Sequence, residues 1–361
     1  MKKIVTYSLI SLAVLASTSQ FVHAQGCVAV RNMSSCSLTY DSTANSKWQL
    51  SLNYRFFESY KHFRGDHEEK ERVENGTEVI NHDNSILLGV LYSFNNRISA
   101  AVTIPYLYID RSSLYEHKGN NSGERYHTSS KGLGDMRISG YYNVLPSNHK
   151  TFLTVGLGIK LPTGNYNYQD YFHKTGSQGQ DTLVLRAVDQ SIQPGDGGTG
   201  AIVEFDFAQQ VGRNFQVFAT GMYMFNPRNT NGTLRSPNLV NNIPLSNEMS
   251  VVDQFLFRLG GRYLVNKFQL ALGGRYEGIP VEDVFGKSDG FRRPGYIISL
   301  GPAITYSSGK HTFGVNCPIA LERNRTQSVL DKRRTEVLGT YQHGDAAFAD
   351  YLVSLSYAYR L

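Results

Sequence analysis

The chain has 361 residues, 40% of them apolar and 18% charged, with 34 glycines, 23 tyrosines, 19 phenylalanines, one tryptophan and a formal net charge of +6. Beyond the N-terminal segment no run approaches 18 apolar residues, which excludes helices that span a membrane, and aromatic richness without such runs points to a sheet protein. The basic residues are scattered and their excess is mild, which gives no electrostatic case for nucleic acid.

Met1-Lys2-Lys3, the apolar run Ile4 to Ala16 and the small-x-small site Val22-His23-Ala24 read as a secretory signal peptide over 1–24. A periplasmic N-terminal segment is expected over 25–46 and a barrel over 47–361. Cys27 and Cys36 are close enough in sequence to bridge in an oxidising compartment. Two unpaired thiols are one alternative. A lipid anchor on Cys27 is the other, although Ala24-Gln25-Gly26 lacks the large aliphatic residue usual three places before a lipidated cysteine.

The first predicted strand places Trp48, Leu50, Leu52, Tyr54 and Phe56 on one face and Gln49, Ser51, Asn53 and Arg55 on the other. Next comes Ile86 to Phe94, a turn at Asn95-Asn96, and Ile98 to Tyr108. A third pair runs from Met136 to Val144, turns at Pro146-Ser147-Asn148, and returns from Leu153 to Leu161. The alternation continues from Ala201 to Phe207, turns near Gly212-Arg213-Asn214, and resumes from Phe215 to Phe225. Two more hairpins follow, turning at Val265-Asn266-Lys267 and at Ser308-Gly309-Lys310, and a closing strand carries Tyr351, Val353, Leu355, Tyr357, Tyr359 and Leu361. These make twelve strands, an even number, all antiparallel.

The turns are a few residues long, whereas the segments near 57–84, 110–132, 162–198, 226–250, 278–295 and 322–347 are long and polar. That asymmetry predicts an all-β fold: a closed antiparallel transmembrane β-barrel with short periplasmic turns and long extracellular loops in a bacterial outer membrane. Aromatics bound the apolar faces: Trp48, Phe94, Phe215, Tyr263, Phe268, Tyr306, Phe313 and Tyr359 on the short-turn side. Tyr54, Phe56, Tyr106, Tyr108, Tyr223, Phe225, Tyr276 and Tyr296 stand on the long-loop side. A soluble lipocalin-like barrel, with these rings in its core, is the alternative.

Lipid offers no hydrogen bonds, so the oily face must point outward and the polar alternates must line the lumen. Those candidates are Arg55, Asp135, Arg137, Lys160, Glu204, Asp206, Arg258, Arg262, Arg275, Glu277, Asp350 and Arg360. Their mixed signs suggest ion-pair ladders rather than a single-sign filter; they either hold the wall in shape or touch a solute. Cys317 falls on the lipid face.

Gly195-Asp196-Gly197-Gly198-Thr199-Gly200 matches the GxGxxG pattern but closes a loop and opens a strand, the wrong setting for a nucleotide. The histidines after His23 are read as lying in loops or at strand edges, which leaves no His-activated serine for a barrel hydrolase. His62, His67, Glu68 and Glu69 could in principle hold a cation, but no tight ligand spacing repeats, and a solvated loop is the expectation. Arg64-Gly65-Asp66 is read as chance. No metal, cofactor or catalytic residue is expected.

Three blocks, Lys131-Gly132-Leu133-Gly134-Asp135, Gly158-Ile159-Lys160-Leu161-Pro162-Thr163-Gly164 and Gln193-Pro194-Gly195-Asp196-Gly197-Gly198, stand at strand ends. In these the chain resembles, over about residues 85–361, the outer-membrane family of putative phenol-degradation meta-pathway transporters. The resemblance implies an outer-membrane barrel moving small, hydrophobic or aromatic, solutes, with membrane lipid and those solutes as partners. The closing Tyr357-Ala358-Tyr359-Arg360-Leu361 resembles the signal read by the barrel-assembly machinery, with Leu361 where the terminal aromatic usually stands. A structural or surface-interaction barrel with a closed lumen and partner-binding loops is the alternative to a channel, and an outer-membrane hydrolase is a further one.

Overall fold

A computed structural model describes residues 47–117, 124–145 and 150–361. The expected signal peptide, the expected periplasmic segment 25–46 with Cys27 and Cys36, and the expected turn at Pro146-Ser147-Asn148 lie outside the described residues.

Twelve strands form one closed antiparallel wall. In chain order they are Trp48–Arg64, Ile80–Ser93, Ile98–Ser113, Met136–Asn143, Thr151–Leu161, Gly200–Gln210, Phe215–Phe225, Gln254–Val265, Phe268–Ile279, Gly295–Ser308, His311–Asn316 and Val353–Arg360. Each pairs with the next, and the first pairs with the last from Gln49↔Arg360 to Phe56↔Val353. Closure removes both sheet edges, as any sheet in hydrocarbon requires. The short turns use left-handed backbone where they need it, at Asn266 (φ 52°) and Gly309 (φ 60°).

Burial is inverted relative to a soluble barrel. Along the first strand Leu50 and Leu52 are 43% and 42% exposed, while Gln49, Asn53 and Arg55 are nearly covered. Leu157 and Leu259 stand more open still, at 69% and 68%. A continuous apolar outer band around a polar interior would aggregate in water and is stable in lipid, which excludes the lipocalin-like alternative. Both aromatic belts are assembled from ring contacts: Trp48 with Tyr92 at 4.6 Å and Phe268 with Tyr306 at 4.9 Å on the short-turn side, Tyr223 with Phe225 at 4.5 Å and Tyr276 with Tyr296 at 5.5 Å on the other. Among the described residues no helix is long and apolar enough to cross a membrane.

The expected long loops are shorter than alternation suggested. The first strand runs 17 residues and the third 16, beyond the roughly 9–11 that span a bilayer. The first segment expected as loop, 57–84, is therefore mostly strand, and Tyr126–Leu133 extends the wall alongside the third strand. Outside lipid both faces can be polar, as at Glu58, Lys61 and Arg64, so the ladder continues where the pattern stops. The loops also hold two hairpins, Gln169–Thr175 with Asp181–Ala187 and Thr230–Leu234 with Glu248–Ser250. A ten-residue helix, Val329–Leu338, begins with a Ser328/Asp331 capping box and ends at Gly339 in the left-handed region.

The wall jogs three times on the long-loop side, at Gly134-Asp135, Cys317-Pro318 and Asp350 to Leu352. Pro318 cannot donate to the ladder, and the strands beside it are carried across the jog by the isolated Ile319↔Tyr351 bridge and by the Leu352 N–H donating to the Pro318 carbonyl at 3.2 Å. Packing of Phe63, Ile297, Ala320, Ala346 and Phe348 closes this stretch.

Candidate solute pathway

The three glycine-rich blocks, far apart in sequence, meet in one knot where the fourth strand is interrupted. The Asp135 carboxylate accepts the Gly164 N–H at 3.0 Å on one oxygen and the Asp196 N–H at 2.9 Å on the other. Thr163 donates to the Gly134 carbonyl at 2.9 Å and accepts from the Met136 N–H at 2.9 Å, while Lys160 pairs with Asp196. Gly195 lies so close to Gly164 that a Cβ would stand 2.6 Å from its carbonyl oxygen. The GxGxxG stretch thus builds a loop anchor, and Gly200 opens the sixth strand.

This anchor turns the segment before it inward. Gln190, Ser191 and residues 193–196 line a central cavity of about 160 Å³, facing Arg55, Asp135 and Lys160, while Ile192 packs away from it against Leu107, Ile109 and Val188. Above it, Asp189 caps the short turn Gln190–Ile192 through the Ser191 N–H at 2.9 Å and forms a two-pronged pair with Arg293 at 2.8 Å on each oxygen. Arg111 from the third strand stands 3.7 Å away. Burial pushes the Asp189 carboxyl up, but Arg111 and Arg293 outweigh it and hold it well below the usual carboxylate range.

Arg293 borders both this cavity and a larger chamber of about 520 Å³ at the long-loop mouth. Towards the short turns two smaller cavities follow, of about 50 and 70 Å³, which share Asp206 and Thr220; the latter also shares Asn53 with the central cavity. The interior is therefore a chain of spaces linked by common lining residues.

Of the predicted interior charges, Arg55 is buried, stands 3.6 Å from Asp83 and donates to Ser85 at 3.2 Å. Arg137 is buried with one nitrogen 3.6 Å from the Met224 sulfur. Glu204 accepts from the Tyr141 hydroxyl at 2.8 Å and lines a lower cavity with Asp206. Arg258 and Arg262 border the lowest cavity and lie 5.8 and 6.0 Å from the Phe218 ring. Arg275 and Glu277 form a buried bidentate pair at 2.7 Å, and Arg360 donates to Gln49 at 3.4 Å at the short-turn rim. Asp350 borders none of these cavities: it sits in the wall jog, 3.7 Å from Lys61 and accepting from the Tyr60 hydroxyl at 2.9 Å.

Apolar inward residues are what polar alternation missed. Ile202, Met222, Met224 and Leu256 form a buried cluster on the lumen side, with Met222 and Leu256 on a lower cavity and Phe218 on the lowest. Their sequence signal is loss of alternation: 217–225 is nearly unbroken in apolar residues, meaning both faces are oily. The Asp189 contact across 104 positions has no sequence signal.

His62 corrects the placement of histidines in loops or at strand edges, being buried within the first strand. It meets Glu69 and Asp345 in a cluster of metal-ligand type. Its Nε2 accepts the Val79 N–H at 2.8 Å, so Nδ1 carries the proton to Asp345 at 2.5 Å, and Glu69 pairs with Arg64 and Arg72 at 2.7 Å each. With both ring nitrogens used and two guanidiniums beside it, the cluster is an ion-pair network and does not fit a cation. Among the described residues no histidine–serine hydrogen bond occurs. Cys317, beside Pro318 in the wall jog, is unpaired and half-buried.

A closed antiparallel meander with an oily outer band and a polar, cavity-bearing interior is a β-barrel of the outer-membrane type. No protein-family model and no curated protein matches the sequence. Among solved structures, the fold is similar to an outer membrane channel from Pseudomonas putida F1, with TM-score 0.58 and 13% identity over 90% of this chain and 98% of that one. Weaker likenesses are to the β domain of the Bordetella autotransporter BrkA (TM-score 0.46, 12% identity, 88% and 100% covered) and the Pseudomonas putida toluene transporter TodX (0.44, 11%, 89% and 91%).

Proposed function

We propose that the protein is an outer-membrane channel for passive passage of small solutes with an apolar or aromatic body. The observation that carries this reading is the linked series of cavities from the long-loop mouth to the short-turn end, one wall of which is apolar. Met222, Met224, Leu256 and Phe218 give a ring or hydrocarbon a surface to slide along, while Glu204, Asp206, Arg258 and Arg262, on the same or adjoining strands, keep the passage wet. The interior charges have two roles in this reading: Arg275–Glu277 braces the wall, and the groups on the cavities meet the solute. On this reading the long loops face the exterior and the barrel-assembly machinery inserts the chain through its closing strand.

The Asp189–Arg293 contact at the mouth supports a second reading, a closed barrel whose loops bind a partner. Planar-bilayer recording and liposome uptake of toluene and benzyl alcohol separate the two. Conductance with solute entry is the expected result; a sealed bilayer and no uptake would overturn the channel reading and leave the second.

A further inference from the structure

We propose that the chamber at the long-loop mouth binds small aromatic carboxylates through Arg235 and Arg186, which stand over the rings of Phe291 and Phe172. This deepens the channel reading by naming a solute class. The chamber is lined by eight arginine and lysine side chains but four carboxylates, and every one of those carboxylates already has a partner. Glu116 pairs with Arg111, Asp189 with Arg293, Asp331 with Arg325 and Asp345 with His62 and Arg72. Arg292 pairs outside the lining set, with Asp283.

Lys174 donates to the Glu116 backbone carbonyl, and Arg235, Arg186 and Arg334 remain without a carboxylate within 4 Å among the described residues. The Arg235 guanidinium lies 3.8 Å from the Phe291 ring centre, and Arg293 approaches the same ring at 4.8 Å. Arg186 lies 5.4 Å from the Phe172 ring and donates to the Arg235 carbonyl at 2.8 Å, which ties the two Arg–Phe units together. Burial, and then the neighbouring Arg293, lower the Arg235 pKa. A partly desolvated cation beside another cation raises the energy of the empty chamber, and an anion entering it would relieve both terms.

Planar guanidinium forks match a carboxylate bidentately, and the flat guanidinium faces, held in place by Phe291 and Phe172, offer stacking to an aromatic body. Inorganic phosphate shares the charge but lacks the ring, and benzyl alcohol shares the ring but lacks the charge. Calorimetric titration of the detergent-purified full chain with benzoate, phosphate and benzyl alcohol at pH 7.5 uses both contrasts. Benzoate should bind at least about tenfold more tightly than either, and Arg235→Gln should weaken it by about tenfold or more. Arg186→Gln and Phe291→Leu test the same site if Arg235→Gln fails to show the heat-dependent gel shift of a folded barrel. Unchanged benzoate affinity in the folded variants, or benzyl alcohol binding equal to benzoate, would overturn the proposal. Phosphate binding as tight as benzoate would overturn the aromatic class. Benzoate binding without conductance would remove the channel reading alone; conductance without binding would remove this site alone.

Discussion

Replacing Asp189 by Asn keeps the side chain's shape and its capping of the Ser191 N–H but removes the charge shared by Arg293 and Arg111. Asp189 and Arg293 side chains are only 9% and 15% exposed, so the pair has little help from solvent. Breaking one partner of such a pair costs about 3–5 kcal/mol, because the other charge is left uncompensated. Arg111 keeps Glu116, and Arg293 is left with the Phe291 ring. At about 1.4 kcal/mol per tenfold, the ratio of displaced to inward loop rises on the order of 10² to 10³. Single-channel recording in planar bilayers reads this as a larger open level with longer dwell times. Asp189→Asn combined with Arg293→Gln should recover part of the wild-type behaviour, since both buried charges are then gone. Identical conductance and flicker in the wild type and Asp189→Asn would refute the idea that this contact narrows the mouth.

Gly195→Ala should destabilise the knot, because its methyl would meet backbone 2.6 Å away; the heat-dependent gel shift should occur at lower temperature, and no shift in that midpoint would count against the knot. His117 is fully buried, accepts the His173 N–H at 3.1 Å and stacks on Phe172, and burial lowers its pKa from 6.5 to about 4. The unfolded segment takes up a proton first, so packing of the Gln169–Ala187 hairpin is fully supported above about pH 6.5 and weakens as pH falls towards about 4; hydrogen exchange of that hairpin at pH 7.5 and 4.5 measures it, and equal protection would contradict it. Asp345 is the opposite kind of group: burial raises it, but His62 and Arg72 outweigh this and hold it low, so its contribution persists until pH falls below the usual carboxylate range. Met222→Glu places a charge on the apolar side of the lumen and should cut liposome uptake of toluene by about tenfold while ion conductance is kept; unchanged uptake would separate the apolar cluster from transport. Cys27 and Cys36 should be alkylated only after reduction, as mass spectrometry of the exported protein would show.

The barrel was legible because lipid imposes a rule on sequence: every second residue of a spanning strand must be apolar. Leu50, Leu52 and Tyr54 obey it against Gln49, Ser51 and Asn53, and twelve such segments with alternating short and long connections fix the wall. The rule fails in two places for physical reasons. At Glu58 to Arg64 the strand has left the membrane, so nothing enforces an oily face. At Met222 and Met224 the lumen itself is apolar, so both faces look alike and an inward residue cannot be told from an outward one. The mouth was less legible still, because Asp189, Arg235 and Arg293 come from three loops and meet only through the closed wall.

The knot and the mouth contact are parts of one device. The segment entering the lumen is pinned at its far end where Asp135 takes the Gly164 and Asp196 N–H groups, and at its near end where Asp189 meets Arg293. Gln190 to Gly195 lie between the two anchors, and they are held there as well by Ser130 on the Ile192 carbonyl, by Gln190 donating to the Ser250 carbonyl at 2.8 Å and by Gln193 donating to the Val188 carbonyl at 2.9 Å. On the channel reading, loss of the Asp189 anchor should loosen the mouth end of this segment, between the mouth chamber and the central cavity. Loss of the Asp135 anchor instead frees the end nearest the wall, where Lys160 and Asp196 stand. The two losses should therefore differ in kind: on the channel reading the first changes conductance with the barrel intact, and the second loosens the fourth and fifth strands themselves. Because Arg293 also flanks Phe291 beside Arg235, an anion held in the mouth chamber would compete with Asp189 for the same guanidinium. On the channel reading, with the mouth site proposed above, solute binding and opening of the passage below it would be coupled through one arginine.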